Sequence, residues 1–384
     1  MIYIRQCSLV YELLTFLSYV GEFPFGSIPL LGNYETYRKL ISKLSQEQTY
    51  RIPGNSKTIS GRLLNISGTK QLKTIRLSQK GVEVLSLVNP DAAFYYDRVY
   101  RKANLSSAAS RIDRAHRLAE TTALFRLAGV ETSPYQLPSL QTESFEMTYS
   151  ERSAFYTSHE LKHFGRDGVN KVAFSRITGM LFAPGGCYPI YNSRDTRMEW
   201  NGLGEGRVRL HLEGAVRMNF SDNAELESAM MLASGYDIAK LTLAFLGNVN
   251  KVQNRFDQIY KHLHFIPMNA FGIRLIKLLS LPDWNEMLLE LLFDEEELAT
   301  TGASFGYDAI RDGVYMFSFL DSDIFRLNAF WDVVRYQKYK ASVICFPEQV
   351  PFLRDLLRDK VSLQTVTMDM VENAINMEGS DASE

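Results

Sequence analysis

The sequence predicts an α+β protein of more than one domain, and three observations carry that expectation. The chain has 384 residues, and domains typically take about 100–200 residues. Helical spacing and two-residue alternation of apolar positions both occur, in blocks rather than as a regular strand–helix succession. Composition is ordinary, with 46% hydrophobic and 22% charged residues, which excludes disordered and collagen-like classes.

Cys7, Cys187 and Cys345 are far apart, so they form neither a disulfide framework nor a zinc knuckle, and a reducing cytoplasm fits them best. No segment reaches the roughly 18 apolar residues of a membrane span, and no membrane partner is expected. The apolar start, Met1 to Val20, has Glu12 in its middle, Arg5 as its only basic head and no small-residue cleavage site. It reads as a core helix rather than a leader.

Within that start, Leu9, Val10, Leu13, Leu14, Phe16, Leu17 and Val20 keep helical spacing up to a stop at Gly21. A short segment, Phe25 to Leu31, is closed by Gly32. Asn33 then suits the N-cap of a helix over Tyr34–Gln46, with Glu35 in its first turn. Its apolar stripe is Tyr37, Leu40, Ile41 and Leu44, which leaves Tyr34, Thr36, Arg38, Lys39, Ser42 and Lys43 on the other face. Thr58 to Ile66 reads as a strand, Ser67 to Gln71 as a turn and Leu72 to Leu77 as the returning strand, after which Ser78 caps another helix.

Between Asn33 and Gly81 ten Lys and Arg face only Glu35 and Glu47, so this stretch carries +8 in a chain of net charge -2. Clustered cations displace counterions from phosphates, which makes such asymmetry a nucleic-acid signal. Three helices followed by a basic hairpin is the order of a winged helix, whose third helix enters the major groove. Candidate contacts to double-stranded DNA are Tyr34, Thr36, Arg38, Lys39 and Lys43 on the helix, with Arg62, Lys70, Lys73 and Arg76 on the hairpin. The competing reading is a winged helix that binds protein.

Further along, Ser110 to Leu127 is an arginine-bearing helix and Thr157 to Phe164 a shorter one. Ser175–Phe182, Cys187–Tyr191 and Arg207–Leu212 read as a three-stranded meander, with the Gly202–Gly206 run as a mobile loop. Beyond Asp222 helices are expected near Ala224–Ala233, Lys251–His264, Ile324–Tyr336 and Pro351–Asp359, and strands near Val314–Leu320 and Ser342–Cys345. Asp283–Glu297 reads as the acidic outer face of a packed helix, and the tail from Ile375 as loose. No internal repeat is visible.

His159-Glu160-Leu161-Lys162-His163 matches the H-E-x-x-H zinc pattern, in which two imidazoles hold a metal and the glutamate acts as base. A lysine between the ligands, Gly165 soon after and no nearby third ligand weigh against it. A zinc hydrolase is therefore an alternative only.

Ser158-x-Glu160-Leu161-Lys162, followed by Ser175-Arg176-Ile177-Thr178-Gly179-Met180-Leu181, together with Leu77-Ser78-Gln79-Lys80-Gly81, resembles the plasmid replication–relaxation family over about residues 5 to 220. The resemblance implies an amino-terminal winged helix joined to a restriction-endonuclease-like core, on a plasmid or integrative conjugative element. Some members of that family are relaxases that nick DNA with a divalent metal, magnesium or manganese. Glu160 would be the helix carboxylate, but the strand positions near Thr178 and Ile190–Asn192 lack acids, and Asp195 and Glu199 are offset. The expected protein thus has a winged helix over 1–90, a helix-plus-meander core over 91–220 and a mixed part over 221–384. It binds DNA in replication, mobilisation or their regulation, with a degenerate nuclease core and no cofactor. Other mobile-element proteins and a second copy of the chain are further candidate partners. The alternative is a nicking enzyme using Glu160 and Asp195.

Overall fold

A computed structural model describes residues 1–54, 58–101, 108–132, 153–161, 176–198, 202–219, 226–246, 256–299, 306–336 and 339–381. The chain is α+β, as its sequence predicts. It divides into two compact units, Met1–Pro138 with Phe155–Ser158, and Ser139–Ala154 with His159–Glu384.

In the first unit, strand β1 (Ile2–Tyr3) leads to helix α1 (Leu9–Val20), where the Ser8 hydroxyl accepts the Tyr11 N–H at 3.3 Å. Val10, Leu13, Leu14, Phe16, Leu17 and Val20 are buried, which is why this apolar start is a core helix. Strand β2 (Glu22–Pro24), a 3₁₀ segment at Phe25–Leu31 and helix α2 (Tyr34–Leu44) follow. Asn33 caps α2 as expected, its Oδ1 accepting the Thr36 N–H at 3.1 Å.

The expected strand Thr58–Ile66 is instead two strands in different sheets. Strand β3 (Gln48–Arg51) pairs with β4 (Thr58–Gly61), and β1 adds in parallel to give the order β1-β3-β4. Strands β5 (Leu64–Ser67) and β6 (Thr74–Leu77) pair with β2 in an antiparallel sheet of order β2-β6-β5. The break falls at Arg62-Leu63, where the Leu63 N–H turns to the Leu44 carbonyl at 2.9 Å and Gly61 adopts φ +149°. Backbone pairing to the end of α2 outweighs continuation of the strand.

Helices α3 (Gln79–Val88), α4 (Pro90–Tyr96) and α5 (Ala109–Leu127) complete the unit, which therefore does not end at residue 90. Two buried polar contacts fix α5 in place: His116 Nε2 lies 3.1 Å from Thr74 Oγ1 of β6, and the Ser27 hydroxyl donates to Glu120 Oε1 at 2.5 Å. Phe155, in strand β7 (Ala154–Thr157), stacks on Phe125 with 4.8 Å between ring centres.

The one-turn helix α6 (Ser158–Leu161) follows, and the end of the expected Thr157–Phe164 helix lies outside the described residues. Strands β8 (Ile177–Ala183) and β9 (Gly186–Arg194) form a hairpin, as expected. The third strand of the meander is absent. Arg207–Leu212 belongs to helix α7 (Gly202–Asn219), whose Val208, Leu212 and Val216 are buried at four-residue spacing. The Gly-rich run is the first turn of this helix and not a loop.

Two further expectations are reversed. Ala224–Ala233 holds strand β10 (Ser228–Ala233), and the described part of Lys251–His264 holds a 3₁₀ turn and the start of β11 (His262–Pro267). Both strands are buried on each face, so their continuous apolar runs lack the alternation that marks a strand. They run parallel to β9 in the order β11-β10-β9-β8, with helix α8 (Tyr236–Leu246) between them. Helices α9 (Ala270–Leu279) and α10 (Trp284–Leu292) close this half, and Trp284 and Leu288 anchor the acidic helix as predicted.

The same succession then recurs. A hairpin of β12 (Ala309–Arg311) and β13 (Val314–Ser318) is followed by α11 (Ile324–Val334), β14 (Ala341–Cys345), α12 (Val350–Leu357), β15 (Ser362–Thr365) and α13 (Met368–Asp381). The sheet order is β12-β13-β14-β15, with one antiparallel pair and two parallel ones, as in β8-β9-β10-β11. The unit thus repeats its architecture where the sequence shows no repeat. The expected loose tail is helical through Asp381.

Candidate nucleic-acid interface

Helix α2 splits as its sequence predicts. Ile41 and Leu44 are buried and Tyr37 and Leu40 half-buried, while Tyr34, Thr36, Arg38, Lys39, Ser42 and Lys43 are exposed. One face of the helix thereby holds the core and the other offers donors. Arg38 pairs with Glu35 at 2.9 Å on this open surface, and such a pair is easily exchanged for a phosphate. The side chains of Lys39 and Lys43 make no ion pair or hydrogen bond with any described residue. The Thr36 hydroxyl is occupied by the cap, 3.0 Å from Asn33 Oδ1.

The hairpin residues divide into two kinds. Arg62, beside the Leu63–Leu44 junction, and Lys70, at the β5–β6 turn, are exposed, and their side chains likewise make no ion pair or hydrogen bond with described residues. Lys70 adopts φ +51° at the tip, next to Gly68 at φ +79°. The Lys73 ammonium lies over the Phe25 ring, 3.8 Å from its centre, and is engaged with the 3₁₀ segment. Arg76 is directed inward, its Nε donating to Glu22 Oε2 at 2.5 Å.

Glu22 is 3% exposed, and burial pushes its carboxyl above the usual range although the Arg76 guanidinium pulls it back. Arg76 therefore holds β6 to β2, and the cations among the expected contacts that are exposed are Arg38, Lys39, Lys43, Arg62 and Lys70. The sequence reading missed Arg51, exposed at the end of β3. Its signal was available in Gln48-Thr49-Tyr50-Arg51, where alternation buries Tyr50 and turns Arg51 outward.

Comparison with known protein families, curated proteins and solved structures finds no match to this chain.

The expected nuclease and zinc residues are described only in part. Glu160 is half-buried on α6, Asp195 is exposed after the end of β9, and His159 is half-buried. His163 and Glu199 lie outside the described residues. Among the described residues, no group of three or more His, Cys, Asp or Glu is placed to hold a metal. Thr178 and Asn192, at the positions where the resemblance would expect carboxylates, lie on strands β8 and β9. The Thr178 hydroxyl donates to the Ile190 carbonyl at 2.9 Å, and Asn192 is fully buried with its Oδ1 accepting the Arg194 N–H at 3.0 Å. Neutral, satisfied side chains in these places do not fit a hard divalent cation. Tyr191 is also buried, donating to Glu205 Oε2 at 3.0 Å, and is closed to any substrate.

Proposed function

We propose that the first unit is a winged-helix domain that binds double-stranded DNA, and that the protein acts on a plasmid or integrative conjugative element, in replication, mobilisation or their regulation, without nuclease activity. One observation carries this reading. After α1, a 3₁₀ segment and α2, the hairpin β5–β6 pairs with β2 in the order β2-β6-β5, and α2 turns its apolar stripe inward while Lys39 and Lys43 stand exposed. A helix presented in this way can enter a major groove, with the β5–β6 turn beside the phosphates. Thr178 and Asn192 in the strand positions of the second unit support a binding role rather than cleavage.

The test is duplex binding by fluorescence anisotropy over a salt series. The wild-type protein should lose affinity steeply with salt. Lys39→Ala with Lys43→Ala should reduce the slope by about two counterions, with unchanged folding. Equal affinity and slope in both proteins would remove α2 from the interface, and no binding at low salt would favour a protein-binding adaptor.

A further inference from the structure

Beside the β8–β9 turn the second unit holds a cavity of about 550 Å³. Its wall combines Gly185 and Tyr188 of the hairpin, Ser228 at the start of β10, His262 at the start of β11, and Asp283 and Glu286 at the start of α10. The floor is closely fitted. A Cβ on Gly185 would lie 2.2 Å from the Leu281 carbonyl oxygen, and the Trp284 indole N–H donates to the Tyr188 hydroxyl at 3.1 Å.

His262 is the organised group in this wall. Register places it opposite Ser228, and its side chain is 36% exposed. Its Nδ1 is 2.6 Å from Asp323 Oδ2, while Asp323 Oδ1 accepts the backbone N–H groups of Leu263, Phe325 and Arg326 at 3.0, 3.0 and 3.2 Å. Asp323 is fully buried, so a carboxylate fixed by three amides fixes the imidazole in turn. That contact keeps the proton on Nδ1. The other ring nitrogen, Nε2, has no hydrogen-bond partner among the described residues.

The surrounding charge selects the sign of a ligand. Glu227, Asp283 and Glu286 line the space, and among the described residues no Lys or Arg does. Lys261 is tied to Glu227. Behind the imidazole, Arg326 is neutralised by Asp308 and Asp321, and His264 turns its Nδ1 to the Asp321 carbonyl at 2.9 Å. Cys187 and Tyr188 complete the ionisable groups nearby.

We infer that this cavity binds a small organic cation, an ammonium or guanidinium group, which donates to His262 Nε2 while Asp283 and Glu286 balance its charge. The inference is independent of DNA binding. Asp323 raises the His262 pKa, so a cation must displace a proton from the ring, and affinity should increase as pH rises through the imidazole range. An anion would bind with the opposite pH dependence and against the carboxylates of Asp283 and Glu286.

The test is an NMR titration of the His262 ring signal in the full chain, assigned with His262→Gln, using methylguanidinium and butylammonium as probes and acetate as the anionic control. Saturable shifts at millimolar cation, several-fold tighter at about pH 8 than at about pH 6, are expected. Glu286 is exposed, so Glu286→Gln should fold normally and weaken binding several-fold. No shift with either cation, a shift with acetate instead, or affinity that falls as pH rises would overturn the assignment.

Discussion

Arg76 in β6 stands directly across the sheet from Glu22 in β2, and its guanidinium reaches a carboxylate whose side chain is 4% exposed. Removing the cation strands a buried negative charge, which costs about 3–5 kcal/mol in comparable sites. Arg76→Ala should therefore lower the urea midpoint strongly at neutral pH. Because burial holds the Glu22 pKa above its ordinary value, the loss should shrink in mild acid, where the stranded carboxyl takes up a proton. Arg76→Ala with Glu22→Gln should recover part of the stability. An unchanged midpoint in the single variant would mean that the pair contributes nothing.

Lys70 separates binding from stability. A non-glycine residue at φ +51° is strained, and asparagine tolerates that region better than lysine. Lys70→Asn should leave the melting temperature equal or slightly higher. If the β5–β6 turn lies along phosphates, the same variant should reduce the salt slope of duplex binding by about one counterion. A parallel loss of stability and binding would instead point to a structural role for Lys70.

The contrast between Arg76 and Lys70 shows what was legible in the sequence. Local rules recovered α1, the Asn33 cap, both faces of α2 and the helix cap at Ser78, because each depends on neighbours within one or two turns. Which cations point outward depends on cross-strand partners. Nothing near Arg76 in sequence announces Glu22, just as nothing near His262 announces Asp323. The second unit was harder for a different reason. Strands β10 and β11 are buried on both faces and so lose alternation, while Gly202, Gly204 and Gly206 disguise the start of α7. Its repeated architecture is carried by strand order and not by residue identity.

Glu205, on α7, supplies a pH dependence. It is 3% exposed and accepts from the Tyr191 hydroxyl, and burial pushes its pKa up from 4.5 to about 7. The folded state thus binds the proton more tightly than the unfolded chain. Its contribution is fully present below the unfolded value and lost as pH rises toward about 7. Urea midpoints should accordingly fall between mildly acidic and neutral pH, and Glu205→Gln, which cannot ionise, should flatten that part of the profile. If the variant keeps the wild-type slope, Glu205 is not the group responsible.

Two glycines in the second unit should respond in opposite directions to the same substitution. At Gly185 a methyl group would lie 2.2 Å from the Leu281 carbonyl oxygen and 2.6 Å from that of Leu279, both backbone atoms that cannot swing aside. Overpacking of this kind costs about 1–3 kcal/mol, and Gly185→Ala should also disturb the Tyr188–Trp284 contact at the cavity floor. Gly206 lies inside α7, where a Cβ would meet nothing within 4 Å. There alanine gains about 1 kcal/mol of helix propensity over glycine. Thermal denaturation of the two variants side by side should show a clear loss for Gly185→Ala and a gain for Gly206→Ala. A loss at both positions would mean that the Gly-rich turn of α7 needs conformational freedom that the helix does not explain.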